Sequence, residues 1–130
     1  MVSPGSRPAA AAGLCCGSEQ PAVPAAQRTG IVHGDYRGDN CLFDAADPGR
    51  IKAVLDWEIA HLGDPMEDLG WICVNSWRFG EIDKPVGGFG SREELFAGYE
   101  AAGRKVDPAR VKFWEVMGTL RWGIMCGGMM

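Results

Sequence analysis

Three oxygen-bearing side chains in one stretch of the chain have the types and the spacing of a metal-and-base site. Asp35 is followed, after four intervening residues, by Asn40, and a second aspartate, Asp56, lies further along. Oxygen ligands are what Mg²⁺ prefers, and it is usually held by one or two carboxylates together with substrate phosphates. The pattern is typical of the metal-binding half of a phosphoryl-transfer site.

The segment between Asn40 and Asp56 is expected to bring these two residues together. Residues 41–55 contain an apolar piece, a turn rich in Asp, Ala, Pro and Gly, and a piece rich in β-branched and aliphatic residues. Two strands joined by such a turn form an antiparallel hairpin, whose outer ends lie side by side. Asp35 precedes Asn40 by one short loop, so all three side chains should converge at the mouth of the hairpin.

Each of the three side chains has its own expected role. Asp35 accepts or orients the proton of the attacking hydroxyl, Asn40 binds one Mg²⁺ ion, and Asp56 binds Mg²⁺ that bridges the nucleotide phosphates. Taken alone, Asp35 could equally be a turn or cap residue, because Asp is common in such loops. Asn40 and Asp56 are harder to explain without a site, since both residue types are depleted in strands.

At these positions the chain resembles the aminoglycoside phosphotransferase and choline kinase-like family, which has the protein kinase-like fold. The resemblance is carried by three linked motifs: His33-Gly34-Asp35 with Asn40, then Leu55-Asp56-Trp57-Glu58, then Leu62-Gly63-Asp64-Pro65 with Asp68-Leu69. It extends from about Ile31 to the end of the chain. The subgroup it resembles most is that of the phosphotransferases fused to, or found beside, acyl-CoA dehydrogenases.

The resemblance implies a reaction and its participants. ATP is the family's default co-substrate, and the acceptor is a hydroxyl group of a small molecule. The dehydrogenase-associated subgroup implies an acyl or hydroxyacyl acceptor rather than an aminoglycoside, although this is an argument from association.

Three further residues are candidates for supporting roles. His33 is expected to brace the loop through hydrogen bonds, because the family places the proton acceptor at the aspartate. Arg37 has the offset at which a basic residue of protein kinases approaches the transferred phosphate; the alternative is a surface arginine paired with Asp39 or Asp44. Glu58 could lie beside a metal ligand, or it could accept a hydrogen bond from a neighbouring backbone amide.

Composition and charge narrow the class of protein. With 130 residues, the chain can form at most one small domain. Its formal charge of −4 and its lack of a basic run disfavour nucleic-acid binding. No apolar run approaches the ~20 residues needed to cross a bilayer. Five cysteines without a CxxC spacing indicate reduced thiols in a cytoplasmic protein, not a disulfide or zinc framework.

The chain is predicted to have two regions. Residues 1–30 are rich in Ala, Pro and Gly and are expected to be disordered. Residues 31–130 are expected to form an incomplete kinase-like C-terminal lobe of the α+β class, with the loop around Asp35, one β-hairpin and about three helices. The first helix should begin at Asp64-Pro65 and bury one face, formed by Met66, Leu69, Cys73 and Trp77.

The two later helices have clear start signals. Ser91 and Glu94 form a capping box for a helix that continues to about Ala102. Asp107-Pro108 begins another helix, whose apolar positions keep a 3.6-residue period: Phe113, Val116, Met117, Leu120 and Ile124.

A kinase-like enzyme also needs an N-terminal lobe, and we expect this lobe to be absent here. A lysine on one of its strands binds the α- and β-phosphates, but the first lysine of this chain is Lys52, on the hairpin. Because positioning and electrostatics supply nearly all the rate of phosphoryl transfer, the chain alone should be very slow or inactive. A partner chain could supply the lobe; alternatively, the fold serves as a non-catalytic scaffold. Apolar surface left exposed by missing parts predicts self-association.

Overall fold

A computed structural model describes residues 28–128 of the chain. Its elements in chain order are β1 (Gly30–Val32), β2 (Cys41–Phe43), β3 (Ile51–Val54), β4 (His61–Gly63), α1 (Met66–Trp71), α2 (Arg92–Ala101) and α3 (Pro108–Gly127). Short 3₁₀ helices cover Gly38–Asn40 and Asn75–Arg78. The predicted α+β class, with one hairpin and three helices, is confirmed. Of the segment predicted to be disordered, only residues 28–30 lie within the described residues, and Gly30 begins β1.

The predicted hairpin is formed by β2 and β3. Cys41 pairs with Val54 and Leu42 with Ala53 in an antiparallel register, which shifts at the next pair. The turn is closed by a hydrogen bond of 2.8 Å from the Asp44 N–H to the Arg50 carbonyl. Asp, Pro and Gly in this turn adopt the tight backbone that connects two strands.

A second two-stranded sheet, which the sequence did not predict, pairs β1 with β4. Its antiparallel register places Ile31 opposite Leu62 and Val32 opposite His61. The loop of residues 33–40, here called the Asp35 loop, therefore starts at the end of one sheet and finishes at the start of the other. The connection of residues 55–60 runs between the same two sheets, so both segments have fixed ends.

The first helix is shorter than predicted. Asp64 Oδ1 accepts a hydrogen bond of 3.1 Å from the Met66 N–H at its start, as expected for a capping aspartate. The helix ends at Trp71, and the N–H groups of Cys73 and Val74 bond three residues back rather than four. Val74 then leaves the helical region, with ψ 137°. The predicted face of Met66, Leu69, Cys73 and Trp77 is nonetheless buried, with its last two members beyond the helix.

The second helix has the capping box that its sequence predicts. Ser91 Oγ accepts from the Glu94 N–H at 3.2 Å, and Glu94 Oε2 accepts from the Ser91 N–H at 2.9 Å. Gly103 follows the helix with φ +88°, a conformation that glycine adopts without steric cost.

The third helix leaves exposed most of the apolar positions that give its sequence a helical period. Asp107 Oδ1 caps it by accepting from the Ala109 N–H at 3.0 Å. Its buried residues are Arg110, Val111, Glu115 and Gly118. The predicted apolar positions Val116, Met117, Leu120 and Ile124 are instead between 41% and 66% exposed, and Phe113 is half-buried. These positions remain exposed because α1 packs against a different face of α3, which is built largely from small and charged residues.

Three buried clusters hold the helices together. One contains Met66 and Leu69 of α1 and Val111 of α3, and half-buried side chains of α2, such as Phe96, pack against it. The second contains Trp71, Val74 and Trp77, with Trp122 against them. The third contains Ile72, Cys73 and Val86, and Tyr36 of the Asp35 loop packs on it. Trp71 and Trp77 are buried in these clusters, and Trp114 and Trp122 are half-buried against them.

The contact between α1 and α3 depends on two glycines. A Cβ placed on Gly70 would lie 2.6 Å from Trp114 Cβ and 2.7 Å from the Glu115 backbone nitrogen. A Cβ on Gly118 would lie 2.9 Å from the ring of Trp71. The helices approach so closely that there is no room for a methyl group at either position.

We therefore expect Gly70→Ala to destabilise the protein by about 1–3 kcal/mol, the usual cost of overpacking a rigid contact. Gly98→Ala is the matched control, because no atom lies within 4 Å of a Cβ at that helical position. It should stabilise by up to about 1 kcal/mol through helix propensity alone. Urea unfolding measures both changes, and equal stability of the two variants would contradict the close contact at Gly70.

A second prediction concerns the exposed apolar face of α3. Leu120 is 56% and Ile124 is 66% exposed, next to Val116 and Met117. Exposed apolar surface of this kind favours association. We expect the protein to self-associate, and Leu120→Glu/Ile124→Glu to shift it towards monomer in sedimentation equilibrium.

The matched control for the α3 variant is Phe79→Glu/Ile82→Glu, which makes the same charge change at two exposed apolar residues in a loop. This control should leave the association constant nearly unchanged. A monomeric wild-type protein with a sharp, cooperative thermal transition would show that the α3 face does not drive association.

Candidate active site

The carboxylate of Asp35 lies at the centre of the site and is held by three donors. Trp71 Nε1 donates to Oδ1 at 2.8 Å, Asn40 Nδ2 donates to Oδ2 at 3.0 Å, and Arg37 Nε donates to Oδ1 at 3.1 Å. The Asp35 side chain is 21% exposed. The donors come from three directions, so the carboxylate is fixed in one orientation while one side remains open to solvent.

Asn40 is buried beside Asp35, at the end of the 3₁₀ turn Gly38–Asn40. Its Nδ2 also donates to the Asp35 backbone carbonyl at 2.8 Å. These two bonds fix the orientation of the amide, and among the described residues Oδ1 has no hydrogen-bond partner. Asn40 therefore presents an uncommitted carbonyl oxygen, which is the kind of atom that binds Mg²⁺.

The hairpin brings Asp56 close to Asn40. The Leu55 N–H donates to the Asn40 carbonyl at 2.8 Å, so Asp56 is the next residue along the chain from that contact. Asp56 is exposed and has φ +64°, a left-handed conformation that residues other than glycine rarely adopt. Asp tolerates this conformation better than most residues. Residues with strained backbone conformations occur preferentially at functional sites, so the positive φ of Asp56 favours a functional role for this residue.

His33 connects the Asp35 loop to the residue that precedes Asp56. Its Nδ1 accepts a hydrogen bond from the Asp35 N–H at 3.2 Å, and its Nε2 lies 2.8 Å from the Leu55 carbonyl. Because Nδ1 acts as an acceptor, Nε2 carries the proton that reaches Leu55. The ring also packs edge-on against Trp57, with the ring centroids 4.6 Å apart. Both ring nitrogens are engaged in positioning backbone.

Two residues from distant helices hold the Asp35 loop, and neither was assigned a role from the sequence. The Asp68 carboxylate, on α1, accepts from the His33 N–H at 2.7 Å and from the Gly34 N–H at 2.9 Å. Arg121, on α3, donates to the Gly34 carbonyl at 2.6 Å. No local pattern distinguishes these residues from surface charges on a helix.

Trp71 is a further residue of the site, and no pattern in the sequence gave it a role there. Its ring is buried, and its Nε1 donates to Asp35. The Arg121 guanidinium lies over the same ring, 4.0 Å from its centroid. One arginine therefore contacts both the loop backbone and the indole that orients the carboxylate.

Arg37 makes both kinds of contact that the sequence left open. It pairs with Asp35, and its Nη1 lies 2.7 Å from Asp39 Oδ2. Its guanidinium also lies over the Trp77 ring, 4.6 Å from the centroid. Glu58 is exposed in the turn after β3, and it forms no hydrogen bond or ion pair with any residue in the range 28–128.

Burial keeps three weak acids in or near the Asp35 loop, Tyr36, Cys41 and Cys73, protonated at ordinary pH. Burial raises the pKa of the Tyr36 phenol, and the nearby Cys41 and Asp68 add to the effect. Burial likewise raises the pKa of the Cys41 thiol, and it raises the pKa of Cys73 to about 11. These groups therefore do not compete with Asp35 as proton acceptors. Cys41, Cys73 and Cys126 are free thiols, as predicted, and Cys15 and Cys16 lie outside the described residues.

The oxygen atoms available at the site suit a metal ion that takes its remaining ligands from phosphate and water. Within residues 28–128, no three His, Cys, Asp or Glu side chains converge as a complete metal site would require. Asn40 and Asp56 offer one amide oxygen and one carboxylate at the mouth of the hairpin. Mg²⁺ is commonly held in this way, with phosphate oxygens and waters as the remaining ligands.

Comparisons with known proteins show which family the sequence resembles. The model of a family described as "Phosphotransferase enzyme family" matches residues 16–114. Acyl-CoA dehydrogenase family member 10 of Mus musculus is 46% identical over 52 residues, which are 40% of this chain and 5% of the relative. Viomycin phosphotransferase of Streptomyces vinaceus is 44% identical over 43 residues, which are 32% of this chain and 15% of that protein.

A solved structure from Ralstonia eutropha, assigned to the aminoglycoside phosphotransferases, is 39% identical with a TM-score of 0.46. The match covers 61% of this chain and 26% of that one. No helix in residues 28–128 is long and apolar enough to cross a membrane. The family model matches well over half of the chain, including every residue of the Asp35 site except Arg121. The chain therefore belongs to the phosphotransferase enzyme family.

Proposed function

We propose that this chain forms the metal-binding and acceptor side of a small-molecule kinase, which transfers the γ-phosphate of ATP to a hydroxyl group. The observation that carries the proposal is the hydrogen bond between Asn40 and Asp35, formed within the segment that matches the family and beside Asp56. A proton acceptor and two oxygen ligands close together are the part of a phosphoryl-transfer site that lies opposite the nucleotide clamp.

Asp35 is proposed to orient the acceptor hydroxyl and take its proton. Its carboxylate is held from three sides, so an incoming hydroxyl meets a group that is already correctly oriented, and little reorganisation is needed. Asn40 and Asp56 would hold Mg²⁺, which supplies charge neutralisation on the phosphates when it is bound. Arg37, whose ion pairs are part-exposed, is proposed to contact the transferred phosphate with its planar guanidinium.

The acceptor is proposed to be apolar, of the acyl or hydroxyacyl type. A groove of about 380 Å³ lies between α1 and α3, and its lining is mostly apolar, with Met117, Leu120 and Ile124 among its residues. Trp71 and Arg121, which position Asp35 and Gly34, line the same groove. The names of several relatives refer to acyl-CoA dehydrogenases, which supports the same choice. The free thiols favour a cytoplasmic location.

We expect residues 28–128 to be very slow or inactive alone. These residues include the proposed metal ligands, Asn40 and Asp56. The lysine nearest to them in sequence, Lys52, is exposed on the hairpin and pairs with Asp44. The clamp on the α- and β-phosphates would come from another part of a longer protein or from a partner chain. The relatives are much longer than this chain, since the matched segments are 5% and 15% of their lengths.

A second candidate function is a non-catalytic interaction module. The exposed apolar face of α3 favours it, because surfaces of this kind mark protein contacts. This function would not require Asp35 or Asn40 to bind anything. Metal-dependent nucleotide binding therefore separates the two candidates.

The test is isothermal titration calorimetry of the purified chain with ATP in the presence of Mg²⁺. The Asp56→Ala variant is titrated under the same conditions. We expect weak nucleotide binding that requires Mg²⁺ and falls by about tenfold or more in the variant, because a metal ligand is lost. Asp83→Ala is the matched control, since Asp83 is an exposed aspartate in a distant loop. It should bind as the wild type does.

Asp35→Ala distinguishes metal binding from proton transfer. Because Asp35 is proposed to act on the acceptor, its loss should leave Mg²⁺·ATP affinity within about twofold of wild type. A folded wild-type chain that binds no Mg²⁺·ATP would contradict the kinase proposal and favour the interaction module.

A further inference from the structure

We propose that a second pocket, separate from the Asp35 site, binds a small phosphate-bearing anion. The pocket has a volume of about 230 Å³ and lies between the start of α1 and the loop that joins α2 to α3. Three exposed cations line it, Arg28, Arg104 and Lys105, together with the buried ion pair between Asp64 and Arg110. None of the residues proposed to act in phosphoryl transfer lines this pocket.

Among residues 28–128, the Lys and Arg side chains that form no ion pair are concentrated at this pocket. Five Lys and Arg side chains in residues 28–128 have no ion pair with a carboxylate of that region. Three of the five, Arg28, Arg104 and Lys105, line this one pocket. The other two, Arg50 and Lys84, lie in separate loops. In a chain with a formal charge of −4, this concentration of positive charge attracts anions.

The nearby carboxylates are engaged elsewhere. Asp64 is buried and paired with Arg110. Glu100 Oε1 accepts from the Val106 N–H at 3.2 Å, and Asp107 caps the start of α3. If all three carboxylates are counted against the four cations that line the pocket, a positive charge still remains. The carboxylates of residues 28–128 therefore do not neutralise the exposed cations.

The donors present suit phosphate oxygens. Two guanidinium groups can form forked hydrogen bonds with a phosphate, and one ammonium group adds three donors without a fixed direction. Arg28 is already oriented by a hydrogen bond of 3.0 Å from its Nη2 to the Tyr99 hydroxyl, on α2. The volume admits a group of phosphate or diphosphate size, so we infer a small phosphorylated compound rather than a polymer.

The test is an NMR titration of the full chain, without Mg²⁺, using inorganic phosphate and pyrophosphate as probes. The backbone amide of Gly103, which lines the pocket, reports binding. Arg104→Ala/Lys105→Ala should weaken binding by about tenfold or more, because it removes two of the three exposed cations. Arg50→Ala/Lys84→Ala makes the same charge change outside the pocket, and it should change the affinity by less than about twofold.

Three outcomes would overturn the proposal. The first is the absence of saturable shifts at Gly103 in the wild type. The second is an equal loss of affinity in both double variants, which would indicate a general charge effect. The third is a set of shifts centred on Arg37, which would place the anion at the Asp35 loop. Mg²⁺·ATP binding at the Asp35 site should be unaffected by Arg104→Ala/Lys105→Ala, so the two proposals can fail separately.

Discussion

The rest of the site depends on how the protein holds the backbone of Gly34. The Asp68 carboxylate accepts the N–H groups of His33 and Gly34, and Arg121 donates to the Gly34 carbonyl. Gly34 has φ +87°, and a Cβ added to it would lie only 3.0 Å from the Ile59 carbonyl oxygen, so no other residue fits this position well. Asp35 is the next residue in the chain, so fixing Gly34 aims the carboxylate. Charge-assisted bonds to both sides of one residue are stronger than neutral ones.

Charged groups inside the molecule position the helices. Glu115 is buried on α3 and accepts hydrogen bonds from Arg92 at 2.8 Å, Lys112 at 3.2 Å and Arg78 at 3.3 Å. These partners come from α2, from α3 itself and from the 3₁₀ helix after α1. A buried carboxylate without such partners would cost several kcal/mol of desolvation, roughly as much as a typical buried ion pair loses when it is broken. The network therefore defines the placement of α3 more than it adds stability.

Sequence reasoning succeeded where the signal is local. The hairpin, the capping box of Ser91 and the Asp107 cap each depend on residues a few positions apart, so their patterns are readable without a fold. The proximity of Asn40 to Asp35 followed from the short loop between them. The position of Asp56 near Asn40 followed from the hairpin register.

Sequence reasoning failed where a contact joins residues that are far apart in the chain. It also failed where a residue type lies in an unusual environment, such as a buried charge or an exposed apolar side chain. Glu115 and Gly118 belong to the buried face of α3, although a charged residue predicts exposure and a glycine adds no apolar side chain to a periodic pattern. Their neighbours Leu120 and Ile124 predict burial and are exposed. Arg121 is 87 residues from Gly34, and no periodicity connects them. Such contacts need the fold to be known first.

The contacts of α3 with distant parts of the sequence have a consequence for the order in which the chain folds. Its side chains contact partners 46, 50 and 87 residues earlier in the chain, through Arg110, Trp114 and Arg121. Contacts between residues so far apart in sequence form late in folding. Closing the long loop between them costs conformational entropy before the contact contributes any stabilisation. The hairpin can form early and locally, but the Asp35 loop reaches its final shape only after α3 docks. Ribosomal synthesis delivers α3 well after the hairpin and the Asp35 loop, so in a newly made chain the site stays incomplete until α3 has emerged.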